Sequence, residues 1–307
     1  MNHPHAPQEQ HEHHRHNHGH SNNHNPSHSH SHSHDHDQAD ILDLDADVLA
    51  GHLASLTARL PVEADPRRIV DLGCGTGAGT LALLERFPGA QVTAVDSSPA
   101  HLERLREKAA AAGVADRVRL VEADLDAAQW PALGTPELVW ASASLHHMAD
   151  PERTLRQVHE LLAPGGLFTV VELAGFPRFL PVDAPESAPG LEERCHAALD
   201  GSNAGRLPHR GADWGPLLTR AGFTVEAERT LPVDIAADHD NAVGRYALSS
   251  LRRIRAGVSD VLSATDLAAL DALLDTEGPQ SVLRRGDVGV RTERTVWTAR
   301  RDRPDSV

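Results

Sequence analysis

The sequence predicts an α/β fold, a doubly wound sheet with helices on both faces. Three observations predict it. Short β-branched runs alternate with helical patterns between residues 69 and 172. The first run turns sharply into a helix through alternating glycines, Asp71-Leu72-Gly73-Cys74-Gly75-Thr76-Gly77. Two later runs end in acids, Asp96 and Asp124, at the strand tips where such a sheet holds its ligands.

Each element has a local cause. Leu44, Val48, Leu49, His52, Leu53, Leu56 and Leu60 recur at helical spacing, and Pro61 closes that helix, which is placed to cap a cleft. A strand over 69–72 leads through the glycines into a helix over 77–86, ended by Phe87-Pro88-Gly89. Residues 91–95 form the second strand, followed by Asp96, Ser97, Ser98 and a helix over 99–112 that Gly113 stops. The third strand covers 117–121 and runs into Glu122-Ala123-Asp124-Leu125; the fourth covers 138–141. Asp150-Pro151-Glu152 opens the next helix with an N-cap acid, a first-turn proline and a carboxylate favoured by the helix dipole. Ala163-Pro164-Gly165-Gly166 then turns into a fifth strand over 167–172.

Glycine lets the backbone take positive φ and approach a ligand closely, and the helix behind it offers unpaired N–H groups. Read from Gly73, with Ala78 in the last place, the turn also fits the loose G-x-G-x-x-G/A pattern of dinucleotide folds. Asp71 separates the two readings. A pyrophosphate tolerates a neighbouring carboxylate poorly, whereas a cationic ligand gains from one.

The resulting D-x-G-x-G-x-G run resembles motif I of the class I S-adenosylmethionine (SAM)-dependent methyltransferases. The segment from Ala141 and Ser142 through Leu145-His146-His147-Met148 resembles the stretch after strand 4 in their small-molecule branch, the ubiquinone/menaquinone-type enzymes. The resemblance implies a Rossmann-like sheet of seven strands, with an antiparallel last strand over 288–300 lying between strands five and six. It also implies SAM as cofactor, held by Asp71, Gly73, Cys74, Gly75 and Gly77. Asp96 and Ser97 would take the ribose, Asp124 and Leu125 the adenine, and Ala141 and Ser142 would border the cofactor. The implied reaction is in-line methyl transfer to oxygen, nitrogen or carbon of a small-molecule acceptor, for which the enzyme chiefly supplies alignment and exclusion of water. His147, His146 and Glu172 are the candidate bases at the carboxyl edge of the sheet, although an imidazole at 147 also suits a loop-holding role. Trp214 and Tyr246 are candidate pocket walls. Cys195 beside His196 lacks the geometry of a thiol nucleophile in sequence alone.

Composition bounds the rest. Of 22 histidines, 14 lie in residues 1–36, a stretch with almost no large apolar side chain, so residues 1–40 are predicted to be a disordered tail. Its spaced imidazoles suit opportunistic binding of divalent metal and no fixed metal site. Residues 41–307 fit one elaborated domain. A net charge of −15 argues against nucleic acid as partner. No apolar run reaches the roughly 18 residues of a membrane span, and no signal-peptide core is present. Two cysteines give no disulfide framework, which suits the cytoplasm. Prolines loosen residues 177–210, and residues 234–285 read as a helical insertion. Both are predicted to cap the acceptor, to form a homodimer face, or both. An NAD-dependent oxidoreductase and a metal-binding protein on the same scaffold are the rival functions.

Overall fold

The computed structural model describes residues 1, 27–203, 209–237 and 241–303. Its centre is a seven-stranded sheet: β1 (Arg68–Leu72), β2 (Gln91–Asp96), β3 (Val118–Glu122), β4 (Leu138–Ser142), β5 (Leu167–Leu173), β6 (Thr224–Ala236) and β7 (Gly289–Arg300). The spatial order is β3-β2-β1-β4-β5-β7-β6. The first five strands pair in parallel; β7 runs antiparallel between β5 and β6, as the resemblance implies. The order reverses between β1 and β4, and a crevice opens there beyond the strands' carboxyl ends.

The central strands are apolar on both faces because helices cover both. Ile69, Leu138 and Trp140 pack with α2 (Ala50–Ala58) and α3 (Ala78–Arg86). Ala94 meets α4 (Pro99–Ala111) on that same face. Val70, Val139 and Phe168 face α5 (Pro151–Leu161) and α7 (Trp214–Arg220) on the other. Local chemistry sets the helix starts: Ser98 accepts from the His101 amide and Asp150 from the Arg153 amide, each ahead of a first-turn proline.

A second apolar cluster sits outside the sheet. It joins α6 (Leu191–Asn203), α8 (Ala242–Gly257) and α9 (Ala264–Leu274), with Ile41, Leu44 and Val48 of α1 (Ser27–Val48) packed against it. Residues 234–285 hold α8 and α9 after the end of β6, and residues 177–210 hold α6 after a stretch without a helix. β6 continues to Ala236, past the expected boundary at residue 234, and carries Pro232. It is the edge strand, where a residue without an N–H is tolerated.

The N-terminal region differs from its prediction in two ways. The single helix expected over 44–60 is two, α1 and α2, meeting at Leu49. The boundary of the tail also moves. Composition places it at residue 40, but the α1 backbone begins at Ser27. Once residues 38–48 are docked, extending the helix outward adds one hydrogen bond per residue without a new nucleation cost. The histidine clusters of residues 11–20 lie outside the described residues. Among the described residues no helix is long and apolar enough to cross a membrane.

Candidate active site

The turn after β1 is fixed from both sides. The amides of Gly73 and Cys74 donate to the Val95 carbonyl at 2.8 and 3.0 Å. Gly73 has φ +67°, and a Cβ there would lie 2.4 Å from the Ser144 Cβ. Gly77, with φ +93°, ends the turn against Leu105, leaving no room for a side chain. Between them the Gly75 amide donates to Asp96 Oδ2 at 2.8 Å. Asp96 Oδ1 takes the Ser98 amide at 2.9 Å and lies 3.2 Å from His101 Nδ1. Burial pushes the Asp96 pKa up, but these hydrogen bonds outweigh it and hold the carboxyl below its ordinary value.

Asp71 behaves in the opposite sense. It is buried, its Oδ2 accepts the Thr80 hydroxyl at 2.7 Å, and burial raises its pKa to about 7 despite that bond. The fully buried Trp140 presents an indole N–H with no partner near the position a Gly79 Cβ would take, which also approaches Asp71. A carboxylate short of cations beside an unused donor fits an amino acid's ammonium and carboxylate groups. That test favours the amino-acid end of SAM at this spot.

These groups line one cleft of about 510 Å³, together with Ser97, Asp124, Leu125 and Ser142. Asp124 Oδ1 accepts the Asp126 amide at 2.8 Å, which shapes the turn after β3. Thus Asp71, Gly73, Cys74, Gly75, Asp96, Ser97, Asp124, Leu125 and Ser142 line one cleft. Gly77 and Ala141 are not on the cleft wall: Gly77 packs on α4, and Ala141 is enclosed within the sheet. Burial also raises the Cys74 thiol well above its usual pKa.

The candidate bases separate. His147 lies on the cleft wall, its ring centroid 4.2 Å from that of His146. Loss of bulk water and then the charge of His146 push its pKa down to about 4, leaving a neutral imidazole and a weak proton acceptor. His146 and Glu172 sit behind the wall. Glu172 Oε2 is 2.6 Å from His146 Nδ1, while Oε1 accepts the amides of Ser144, Leu145 and His146 at 3.2, 2.8 and 3.3 Å. With both oxygens engaged and only 2% of the residue exposed, Glu172 has no route to a substrate proton. The carboxylate holds the loop, a role that its position at the sheet edge does not reveal.

The roof comes from the N-terminal helices, placed there by the sequence, and not from the insertions. Among the described residues, neither insertion contributes a side chain to the cleft wall; α1 and α2 do, with Leu42, Asp45, His52 and Leu53. The insertions instead brace α1: Tyr246 of α8 donates its hydroxyl to Asp45 Oδ1 at 2.6 Å. Tyr246 and Trp214 are therefore packing residues rather than pocket walls. Arg294 of β7, missed in the sequence because it lies in an alternating strand far from any motif, reaches the cleft and bonds Asp45 Oδ1 at 3.2 Å. Cys195 is buried in the insertion cluster, its pKa raised to about 11 by burial, and His196 is lowered to about 4, so they form no thiolate–imidazolium pair. Among the described residues, no group of three or more His, Cys, Asp or Glu side chains is arranged to hold a metal ion.

Residues 70–168 match a family described as a methyltransferase domain. The chain is similar to a trans-aconitate 2-methyltransferase of Methylobacterium radiotolerans, 42% identical over 117 residues covering 38% of this chain and 42% of that protein. It is similar to a malonyl-[acyl-carrier protein] O-methyltransferase of Halorhodospira halophila, 42% identical over 206 residues covering 64% and 66% of the two chains. The chain therefore spans less than half the length of the first of these relatives. The fold is shared with a crystal structure described as a putative methyltransferase of Bacillus halodurans, at a TM-score of 0.52 and 18% identity, covering 81% of this chain and 98% of that one. None of these matches supports the nicotinamide or metal-binding alternatives. The glycine turn, the acids placed around it and these matches support a class I SAM-dependent methyltransferase domain over residues 70–168.

Proposed function

We propose that the protein transfers a methyl group from SAM to oxygen, nitrogen or carbon of a small-molecule acceptor. The observation that carries this reading is the convergence of Asp71, Asp96 and Asp124 around the Gly73–Gly75 turn in a single roofed cleft. When bound, SAM supplies an electrophilic methyl and leaves as a neutral thioether, so the protein has little covalent work to do.

The residues divide that work. The turn of Gly73, Cys74 and Gly75 lets the adenosyl group approach the backbone, and Asp96 with Ser97 orients the ribose. Asp124 and the Leu125 amide read the adenine. Asp71 meets the amino-acid cation, and the Trp140 indole donates nearby. Ser142 borders the cofactor on the β4 side, and His147 faces the acceptor. His146 and Glu172 position that loop. The α1–α2 roof keeps water out.

The two buried cysteines, free of any disulfide, suit a cytoplasmic protein. The same reading keeps the insertion helices as a homodimer face and the His-rich tail as an opportunistic ligand for divalent metal.

The reading is tested with SAM carrying a tritiated methyl group, the full chain and a low-molecular-weight cell extract. Label should move into a small product with the wild type and fall to background with Asp96→Ala. Label retained entirely in SAM would refute it.

A further inference from the structure

We infer that Arg294 is the specificity anchor of the acceptor site and that it selects an acceptor bearing a carboxylate, which becomes the methylated group. This inference rests on the methyl-transfer reading and names its substrate class.

The guanidinium is held deep in the cleft, with the residue 7% exposed, yet it is incompletely used. Its one hydrogen bond goes from Nη2 to Asp45 Oδ1 at 3.2 Å. Among the described residues, Nε and Nη1 have no partner. The same Asp45 oxygen accepts the Tyr246 hydroxyl at 2.6 Å, so Asp45 stays anchored when the guanidinium turns to another anion. Nη2 carries a second N–H, which with Nε or Nη1 forms one planar edge of the guanidinium, and that edge matches a carboxylate bound through both oxygens.

His52 supports the assignment from within the same cleft. It lies on α2, lines the same cleft, and its Nε2 is buried with no partner. An imidazole nitrogen beside Arg294 can donate to the second edge of the same anion.

The charge pattern then orients the acceptor. Among the described residues, Asp71, Asp96 and Asp124 line the cleft without a lysine or arginine partner, whereas Arg294, paired with Asp45, is the one arginine on its wall. An anion is repelled from the three acids and finds unused N–H donors at Arg294.

Proton chemistry agrees. His147 is lowered to about 4, and His52 is lowered by burial and by Arg294, so neither is a strong base at neutral pH. A carboxylate needs none. Its oxygen forms the new bond to the methyl carbon while the S–CH₃ bond breaks with its electron pair left on sulfur. The products are a methyl ester and S-adenosylhomocysteine (SAH), and no proton is transferred.

The test uses the full chain saturated with SAH and titrated with malonate, citrate and benzoate, alongside dimethyl malonate, triethyl citrate and methyl benzoate, with thermal melting as the readout. At least one acid should raise the wild-type melting temperature and no ester should. Arg294→Gln should weaken that acid by at least about tenfold while SAH affinity stays within about twofold, a margin that independent sites leave. Arg294→Lys, which keeps the charge and loses the fork, should fall between them and guards against misfolding of the glutamine variant. The inference is overturned if no acid shifts the melt, if esters shift it equally, or if the shift survives Arg294→Gln. A loss of SAH affinity in Arg294→Gln would instead place the guanidinium on the cofactor's own carboxylate and likewise overturn it. Failure of the wild type to bind SAH would remove the methyl-transfer reading itself.

Discussion

Asp96 accepts the Gly75 amide at 2.8 Å, so the acid at the tip of β2 and the middle of the glycine turn are one rigid unit. The same carboxylate also holds Ser98 and His101, which start α4. Asp96→Asn keeps the shape but replaces one acceptor oxygen with an amide donor. Unfolding in urea without cofactor should therefore show a loss of about 1–2 kcal/mol, with an unchanged m-value.

Asp71 should give the stability curve a distinctive slope. Its folded pKa is raised to about 7 from an ordinary 3.8. Between those values the folded state binds more protons than the unfolded one, so this group's contribution falls as pH rises through the window. It is level above the folded pKa. Asp71→Asn removes that slope. The variant without cofactor should gain on the order of 1–2 kcal/mol over wild type at pH 8, with no comparable gain at pH 4, while losing SAH affinity. Paired urea titrations at the two pH values read the difference directly, because other titrating groups cancel between the two proteins.

Glu172 should behave as a positioning residue. Removing it strands three amides and the His146 ring. Glu172→Ala should cost roughly 2–4 kcal/mol in denaturant unfolding, and Glu172→Gln less, because one oxygen still accepts. If Glu172 instead took a substrate proton, the glutamine variant would fold normally, lose turnover and change the pH profile of kcat. Retained turnover in Glu172→Gln, with an unaltered pH profile, is the outcome expected here.

Tyr246 ties the insertion to the roof. Tyr246→Phe removes only the hydroxyl that Asp45 accepts, and should cost about 1 kcal/mol. The diagnostic is local: amide hydrogen exchange in residues 38–48 should speed up more than in β4 or β5. Uniform acceleration across the sheet would mean that the bond serves global stability and not the roof.

How far the sequence reaches depends on whether a feature is local. The turn of Gly73, Gly75 and Gly77 is legible because positive φ and close approach demand glycine at those positions. The caps at Ser98 and Asp150 are legible for the same reason, since donor and acceptor lie within three residues. Arg294 is not legible. Its partner Asp45 lies 249 positions away, and nothing in an alternating β7 marks one arginine as cleft-facing. Glu172 illustrates the converse error: an acid at the sheet edge suits catalysis until its hydrogen bonds show both oxygens taken. The roof was half legible, since periodicity finds its helices but cannot place the break at Leu49 or show that the insertions brace the roof without lining the cleft.

The central claim, an adenosyl cofactor lying across the Gly73–Gly75 turn with its ribose on Asp96, is tested most directly by isothermal calorimetry of SAH against the full chain and Asp96→Ala, with NAD as the control ligand. Wild type should bind SAH and give no heat with NAD, and Asp96→Ala should lose at least about tenfold in SAH affinity. Equal SAH affinity in the two proteins, or heat from NAD alone, would contradict the account.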